Sequence, residues 1–206
     1  MKIVRLSDQG VDRAAKSAAQ ILAKGGIVLF PTDTLYGLAV DATNPKAIAR
    51  FRELKGREKK KPISVIVPDT GSIKDYAQMN ETAERLAEKF LPGALTLVMK
   101  ATRRIPAELT LNGAVGIRIP DDPFCLALAK AFTKPFTATS ANRSGRETPD
   151  TVAGVIDQFG HLASGIALAI DDGDRKGRKP STVVTTVDGE AHIMREGAIT
   201  REELYA

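Results

Sequence analysis

The first candidate for chemistry is the basic stretch LKGREKKKP (54–62), in which Lys55 and Arg57 stand on either side of Gly56. In an extended loop side chains alternate in direction, so we expect Lys55 and Arg57 to point the same way. Gly56 would let the backbone bend closely around a ligand. Two cations in this arrangement suit a phosphate group, yet a run of charges is equally typical of a solvated surface. The stretch alone therefore leaves both interpretations open.

A second candidate is Arg118, which interrupts the apolar stretch AVGIRIP (114–120) at a position where Val or Ile is expected. An arginine is rarely fully buried unless it is paired. Arg118 therefore either meets an internal acid or faces a pocket that takes a carboxylate or a phosphate. The sequence favours neither alternative over the other.

Small polar side chains follow two other apolar stretches. In FPTDTLYGL (30–38) two threonines flank an acid directly after a strand-like segment. In TATSANRSG (137–145) hydroxyls and an amide likewise follow a strand-like segment. Loops after strands are where α/β proteins place functional groups, although the same residues also serve plain turns. With two later positions, the candidates of this kind are Thr32, Thr34, Ser140, Asn142, Ser181 and Arg195.

The common motifs for phosphate binding and nucleophilic catalysis are missing from the sequence. It contains no G-x-x-x-x-G-K-[ST] loop, no G-x-G-x-x-G fingerprint and no G-x-S-x-G elbow. A nucleotide would therefore have to be held by side-chain cations and hydroxyls that converge from several loops.

The charge and the composition set broad limits on the class of protein. The 206 residues carry a net charge of +5, and the excess lies in KGREKKK (55–61) and DRKGRK (174–179). This excess favours anionic partners such as nucleotides or RNA, but only mildly. One cysteine and two histidines argue against a disulfide and a zinc site. The first residues resemble no signal peptide and no stretch could span a membrane, so we expect a cytoplasmic protein without a membrane partner.

Helical and strand-like segments alternate along the chain, which predicts an α/β fold with parallel strand pairs. A hairpin signal at Asp188-Gly189 adds antiparallel pairing. We expect one domain over residues 1–206 (core about 10–200), with a twisted mixed parallel/antiparallel sheet flanked by helices. Helices are predicted over 9–24, from 45 onward, and over 80–91, 121–132 and 151–159. Strands are predicted over 27–30, 63–68, 94–100, 114–120, 136–141 and 166–171 and in the final hairpin.

Several motifs follow one another in an order that resembles a known family. They are FPTDTLYGLA, LKGRE, KKPISVIV, LPGALTLV, GIRIPDDP, TSANRSG, KPSTVV and MREGAI. The chain resembles the YrdC-like domain of threonylcarbamoyl-AMP synthases, in the short single-domain form, from about Gly26 to Ile199. The specific part is Lys55-Gly56-Arg57 together with Ser140-Ala141-Asn142. The chain departs from the family at Ile66, which is often His, and at Lys61, which is often Asn.

The resemblance implies an ATP-dependent nucleotidyltransferase. L-Threonine, bicarbonate or CO2, and ATP with Mg²⁺ would give threonylcarbamoyl-AMP and pyrophosphate. This is the first step of the threonylcarbamoyladenosine modification of tRNA, and a separate tRNA threonylcarbamoyl transferase complex would use the product. A carbamate oxygen would attack the α-phosphorus of ATP in line, so positioning and charge neutralisation supply most of the catalysis.

The resemblance also implies roles for individual residues. Lys55 and Arg57 would be catalytic and would neutralise the triphosphate together with Lys61, while Mg²⁺ would be carried by ATP and not by the protein. The rest of the ATP site would be Ser140, Asn142, Thr148 and Arg195. The threonine site would be Thr32, Thr34, Arg118 and Ser181, with Arg118 on the carboxylate.

Two alternatives to the synthase remain. A non-catalytic paralogue could bind RNA through a basic face, but the few aromatic residues argue against stacking on bases. A ligase of the same architecture could act on another amino acid. The sequence also leaves the segment DRKGRK (174–179) open, as a flap over the site or a plain loop. Lys59 and Lys60 are expected to be solvated and to attract tRNA weakly, Cys125 to lie in the core, and His161 and His192 at the surface.

Overall fold

The strand-like segments of the sequence assemble into one mixed sheet. The structure is a computed structural model that describes residues 1–58 and 61–206, so the predictions for Lys59 and Lys60 lie outside the described residues. In that part the strands are β1 (Lys2–Arg5), β2 (Ile27–Phe30), β3 (Gly37–Ala39), β4 (Ser64–Ile66), β5 (Ala77–Gln78), β6 (Leu95–Ala101), β7 (Ala114–Arg118), β8 (Phe136–Ser140), β9 (Ile166–Asp171), β10 (Thr182–Thr185) and β11 (His192–Arg195).

The order of the strands is β1-β9-β2-β3-β8-β4-β7-β6-β10-β11, and β5 pairs with β6 beside this path. The pairs β1–β9, β2–β9, β4–β7 and β6–β10 are parallel, and the other pairs are antiparallel. The predicted mixed sheet is therefore confirmed, and so is the antiparallel pairing of β10 with β11. The single domain over 1–206 stays a prediction.

Helices cover both faces of the sheet. They are α1 (Leu6–Gln9), α2 (Val11–Ala23), α3 (Pro45–Lys55), α4 (Ile73–Tyr76), α5 (Glu81–Phe90), α6 (Pro123–Phe132), α7 (Val152–Phe159) and α8 (Arg201–Tyr205), with short 3-10 helices at Ala107–Leu109 and Gly160–Gly165. Against α2 and α6, one buried cluster includes Ile66 and Phe136. On the other face Val65 and Ile117 belong to a second cluster with Phe51 of α3. Strand alternation thus supplies two cores, one for each face.

The predicted helix starts are confirmed by their caps. The side chains of Asn44 and Asn80 accept hydrogen bonds from the backbone N–H groups of Ala47 (3.1 Å) and Ala83 (2.9 Å). Asp122 caps α6 in the same way, with Cys125 N at 3.0 Å. These bonds satisfy donors that the first turn of a helix leaves without partners.

The extended conformation expected at Lys55-Gly56-Arg57 is wrong. Helix α3 continues through Lys55, and Gly56 closes it in the left-handed region with φ of 61°. Glycine adopts this conformation without a Cβ penalty, which is why it so often ends a helix. The side chains of Lys55 and Arg57 therefore do not follow strand alternation, and they reach different surroundings.

Other residues lie as the sequence indicates. Cys125 is fully buried in the core, and His161 and His192 are exposed. In the described part of the chain, none of the helices has both the length and the apolar surface needed to cross a membrane. The strands β1, β3 and β5 and the helices α1, α4 and α8 have no counterpart among the predicted elements.

Asn80 is expected to contribute more than an ordinary cap, because its amide also donates to the carbonyl of Thr186 at 2.5 Å. The variant Asn80→Ala should lower the free energy of unfolding by about 2 kcal/mol, as measured by urea denaturation. Asn80→Asp keeps the cap acceptor and should lose less. Equal midpoints for Asn80→Ala and the wild type would contradict this role.

Candidate functional site

A cavity of about 210 Å³ lies over the middle of the sheet, where the strands present small residues. Its lining includes Gly37, Ser64 and Ala138 from β3, β4 and β8. A methyl group at Gly37 would come within 2.9 Å of the Phe30 ring, and one at Gly116 within 2.6 Å of Ser64 Oγ. Larger residues at these positions would push against the neighbouring side chains, so Gly116 leaves the space that the Ser64 hydroxyl occupies at the cavity wall.

Three guanidinium groups converge on this cavity from separate elements: Arg57 after α3, Arg118 at the end of β7 and Arg195 at the end of β11. Burial lowers the pKa of each of them, and Arg118 lowers the pKa of Arg195 further. Within the described residues, the Nε atoms of Arg57 and Arg118 are buried without a hydrogen-bond partner. The walls of the cavity therefore carry concentrated positive charge, which suits an anionic ligand.

Arg118 combines the two alternatives that the sequence left open. Its guanidinium donates to the carboxylate of Asp33, and it also lines the cavity with only 7% of its surface exposed. The other carboxylate oxygen of Asp33 accepts from the backbone N–H of Asp121 at 3.1 Å. The acid thus neutralises part of the buried charge and fixes the orientation of the guanidinium.

One departure from the family pattern lies next to this arginine. Ile66 of β4 is the register partner of Arg118 on β7. It is 1% exposed and belongs to the apolar cluster under α2 and α6. At this position, where the resemblance leads one to expect His, the chain therefore has a residue of the apolar core next to Arg118 in the strand register.

Hydroxyl groups line two walls of the cavity. Thr32 Oγ1 and Thr34 Oγ1 are 3.0 Å apart in the loop after β2. Before β10, Ser181 Oγ lies 2.9 Å from Thr96 Oγ1, and Arg195 donates to the carbonyl of Ser181 at 2.8 Å. Arg195 is therefore held over Ser181 at the cavity wall.

Lys55 lies behind the cavity and not in its lining. It is 1% exposed, and its Nζ donates to Thr139 Oγ1 (2.9 Å), to the carbonyl of Ser140 and to Asn142 Oδ1 (3.3 Å). Burial and, to a smaller extent, the nearby charge of Arg57 lower the pKa of Lys55 to about 7. An ammonium group has three N–H donors, so these acceptors use all of them.

The remaining predicted residues are distributed around the cavity. Ser140 lines it and donates to Asn142 Oδ1 at 2.6 Å, while the amide of Asn142 donates to the carbonyls of Arg143 (3.1 Å) and Arg146. Among the described residues that line the cavity, neither Lys61 nor Thr148 appears. Lys61 is exposed and pairs with Glu58 at 3.2 Å.

The structure thus brings seven of the predicted residues to one cavity: Thr32, Thr34, Arg57, Arg118, Ser140, Ser181 and Arg195. Sequence reasoning missed Thr96, Ser64 and Tyr36, which also line it. The only available signal for Thr96 and Ser64 was a hydroxyl within an apolar strand, which is common in strands of any function.

Comparisons with known proteins agree with this arrangement. A family model named Sua5_yciO_yrdC, described as telomere recombination, matches residues 20–197. A putative threonylcarbamoyl-AMP synthase of Methanocaldococcus jannaschii is 36% identical over 99% of this chain and 95% of its own length. The threonylcarbamoyl-AMP synthase of Bacillus subtilis is 34% identical over 95% of this chain, which spans 56% of that relative.

Among solved structures, Sua5 of Pyrococcus abyssi in complex with L-threonine superimposes with a TM-score of 0.90 at 30% identity. The match covers 98% of this chain and 59% of the Sua5 chain. Because the family model matches most of the chain and the relatives extend over nearly all of it, this chain belongs to the Sua5/YciO/YrdC family.

Proposed function

We propose that the cavity is the site where this chain makes threonylcarbamoyl-AMP from L-threonine, bicarbonate or CO2, and ATP, with release of pyrophosphate. The observation that carries the proposal is the convergence of three guanidinium groups, those of Arg57, Arg118 and Arg195, on one cavity. A carboxylate and a phosphate are the groups that such donors bind best.

The relatives support this activity over the alternatives. Curated proteins from archaea, bacteria and mammals that match this chain are named threonylcarbamoyl-AMP synthases. A synthase activity also accounts for Arg118, Ser181 and Thr34, which a non-catalytic RNA-binding paralogue would not need. The function is therefore that of a nucleotidyltransferase in tRNA modification.

Arg118 is the residue that we assign to the threonine carboxylate. Asp33 holds its guanidinium in place, so little side-chain freedom is lost when a carboxylate binds. The hydroxyls of Thr32, Thr34 and Ser181 line the same cavity and can orient the amino acid and its hydroxyl group. A pocket built to hydrogen-bond a hydroxyl rejects valine more strongly than a purely apolar pocket could.

Arg57 and Arg195 are assigned to the phosphates of ATP, with Ser140 on the nucleotide. A carbamate oxygen attacks the α-phosphorus, and negative charge shifts to the departing pyrophosphate. Fixed guanidinium groups stabilise this charge without having to reorganise during the reaction. Asn142 accepts a hydrogen bond from the Ser140 hydroxyl and thereby holds that side chain in place. Lys61 and Thr148, which do not line the cavity, are assigned to the triphosphate and the nucleotide by the family resemblance alone.

Lys55 is assigned first to the architecture of the site. Its three N–H donors tie the end of α3 to the end of β8 and the turn after it. A direct contact with the triphosphate, as the family resemblance implies, would require one of these bonds to open. The first assignment makes Lys55 a positioning residue, and the second makes it a catalytic one.

The wider setting is part of the proposal. Mg²⁺ arrives bound to the phosphates of ATP and is part of that substrate. The reaction runs in the cytoplasm, and a tRNA threonylcarbamoyl transferase complex uses the product. The basic residues near the cavity give at most weak attraction for tRNA, through phosphate contacts that salt would screen.

The decisive experiment measures pyrophosphate release with ATP and Mg²⁺ in the presence and absence of threonine and bicarbonate. We expect release to require both, and the nucleotide product to have the mass of threonylcarbamoyl-AMP. Release that persists when threonine is omitted would contradict the proposal. Replacement of threonine by serine or valine tests for a ligase that acts on another amino acid.

Two arginine variants should separate the substrates. Arg118→Lys keeps the charge but loses the planar fork, so the KM for threonine should rise about tenfold or more, while the KM for ATP changes little. Arg57→Ala should lower kcat about 100-fold, because it removes charge from the transition state. Circular dichroism should show the wild-type fold for both. If each variant changed both KM values equally, the division of the cavity between the two substrates would be wrong.

Lys55 should titrate near neutral pH, in contrast to an ordinary lysine. The change is measured with ¹³C-labelled lysine by NMR, where one resonance should move between about pH 6 and pH 8 and be missing from Lys55→Met. Because the pKa is lower in the folded state, the unfolded chain binds more protons between pH 7 and pH 10. Lys55 should therefore make stability rise with pH in that range. A Lys55 resonance that titrates only near pH 10 would contradict this assignment.

A further inference from the structure

The basic segment that the sequence left undecided is closely attached to the threonine side of the cavity. We call residues 172–178, which follow β9, the strap. At its start, the hydroxyl of Tyr36 donates to the carbonyl of Gly173 at 2.8 Å and accepts from the backbone N–H of Asp172 at 3.0 Å. Tyr36 is fully buried and lines the cavity, so the strap begins in direct contact with the site.

The strap is anchored in the middle by Arg175, whose side chain is 5% exposed. Its guanidinium donates to the carboxylate of Asp172, lies 4.0 Å from that of Asp122, and stacks over the ring of Tyr36 at 5.7 Å from its centroid. The backbone N–H of Arg175 donates to the carbonyl of Asp150 at 2.9 Å. A surface loop does not need a buried arginine, so this anchor fixes the strap against the body of the protein.

The end of the strap reaches the loop that carries two predicted threonine ligands. Arg178 Nη1 lies 3.2 Å from the carbonyl of Asp33 and 3.4 Å from that of Thr32. These carbonyls belong to the same loop whose side chains are Thr32, Asp33 and Thr34. The exposed arginine therefore holds the loop backbone from the solvent side.

The middle and the end of the strap are both linked to the Asp33–Arg118 pair. Arg178 holds the backbone of Asp33, while Arg175 faces Asp122, whose neighbour Asp121 donates its N–H to Asp33 Oδ2. Among the described residues Arg118 forms an ion pair with Asp33 alone, so the position of this acid fixes the position of the guanidinium. A displacement of the strap would thus be transmitted to the group that binds the carboxylate.

We propose that the strap is a positioning element of the amino-acid site, in which Arg175 and Arg178 set the placement of the Asp33–Arg118 pair and thereby the affinity for the substrate carboxylate. The inference rests on the proposed function, because it assigns the carboxylate of the amino acid to Arg118. It extends that function to residues that do not line the cavity. Lys55 and Ser140, on the nucleotide side, have no contact with the strap among the contacts described above.

The test is a comparison of KM values from pyrophosphate release with threonine and ATP varied in turn. Arg178→Ala and Arg175→Lys should each raise the KM for threonine about fivefold to tenfold, since small misplacements of a binding group have effects of this size or larger. The KM for ATP should stay within about twofold of the wild type. Arg175→Ala should show a larger effect, with a lower melting temperature because Asp122 loses its nearest cation.

Lys176→Ala is the matched control, because it removes the same charge from the same strap at an exposed position. It should match the wild type in both KM values. If Arg178→Ala and Arg175→Lys keep the wild-type KM for threonine, the strap is merely structural and the inference is overturned. A lower kcat with an unchanged KM for threonine, as a smaller folded fraction would give, also overturns the inference. A wild-type enzyme that releases no pyrophosphate with threonine would instead overturn the proposed function, and the inference with it.

Discussion

The ion pair between Arg118 and Asp33 is the interaction on which the rest of the site depends. A charged guanidinium at the end of a buried strand would be costly without a partner, and Asp33 supplies one. Asp33 lies in the loop between β2 and β3, so the pair joins two distant parts of the sheet. The same loop carries Thr32 and Thr34, which are therefore placed by the bond that neutralises the arginine.

A second constraint acts on the other side of the cavity. The end of α3 is tied to the end of β8 by Lys55, while Gly56 turns the chain so that Arg57 enters the cavity. The two cations of one short motif thus have different positions, Lys55 behind the end of β8 and Arg57 at the cavity. The division follows from helix geometry, because a residue that ends a helix and one that follows a left-handed glycine point in different directions.

Much of the fold could be predicted from local patterns. Asn44 and Asn80 predict the starts of their helices, because capping is a short-range interaction. The apolar run at 27–30 predicts a strand, and β2 has the same bounds in the structure. The prediction for the conformation around Gly56 is wrong, because a glycine between two cations is equally typical of an extended loop and of a helix end. The seven residues of the cavity came from the family resemblance together with their chemistry, since no local pattern brings distant strands together.

What the sequence could not indicate is mostly pairing over long distances. Arg175 looked like one charge in a basic loop, and only the fold places it against Asp122 and over Tyr36. Likewise, Thr96 becomes part of the site only because β6 and β10 are parallel neighbours, which brings it to Ser181. Such contacts depend on the strand order, which a single sequence does not specify.

The buried cations also explain why this site should bind anions strongly. Burial lowers the pKa values of Arg118, Arg195, Arg57 and Lys55, and a neighbouring cation adds to this effect for the last three, which means that the folded protein holds these charges at a cost. Asp33 offsets only the part that belongs to Arg118. A substrate that brings a carboxylate and several phosphate oxygens removes the remaining repulsion, so part of the binding energy is already stored in the unliganded fold. Positive charges held close together destabilise the unliganded site, and the same charges suit this cavity to a transition state rich in negative charge.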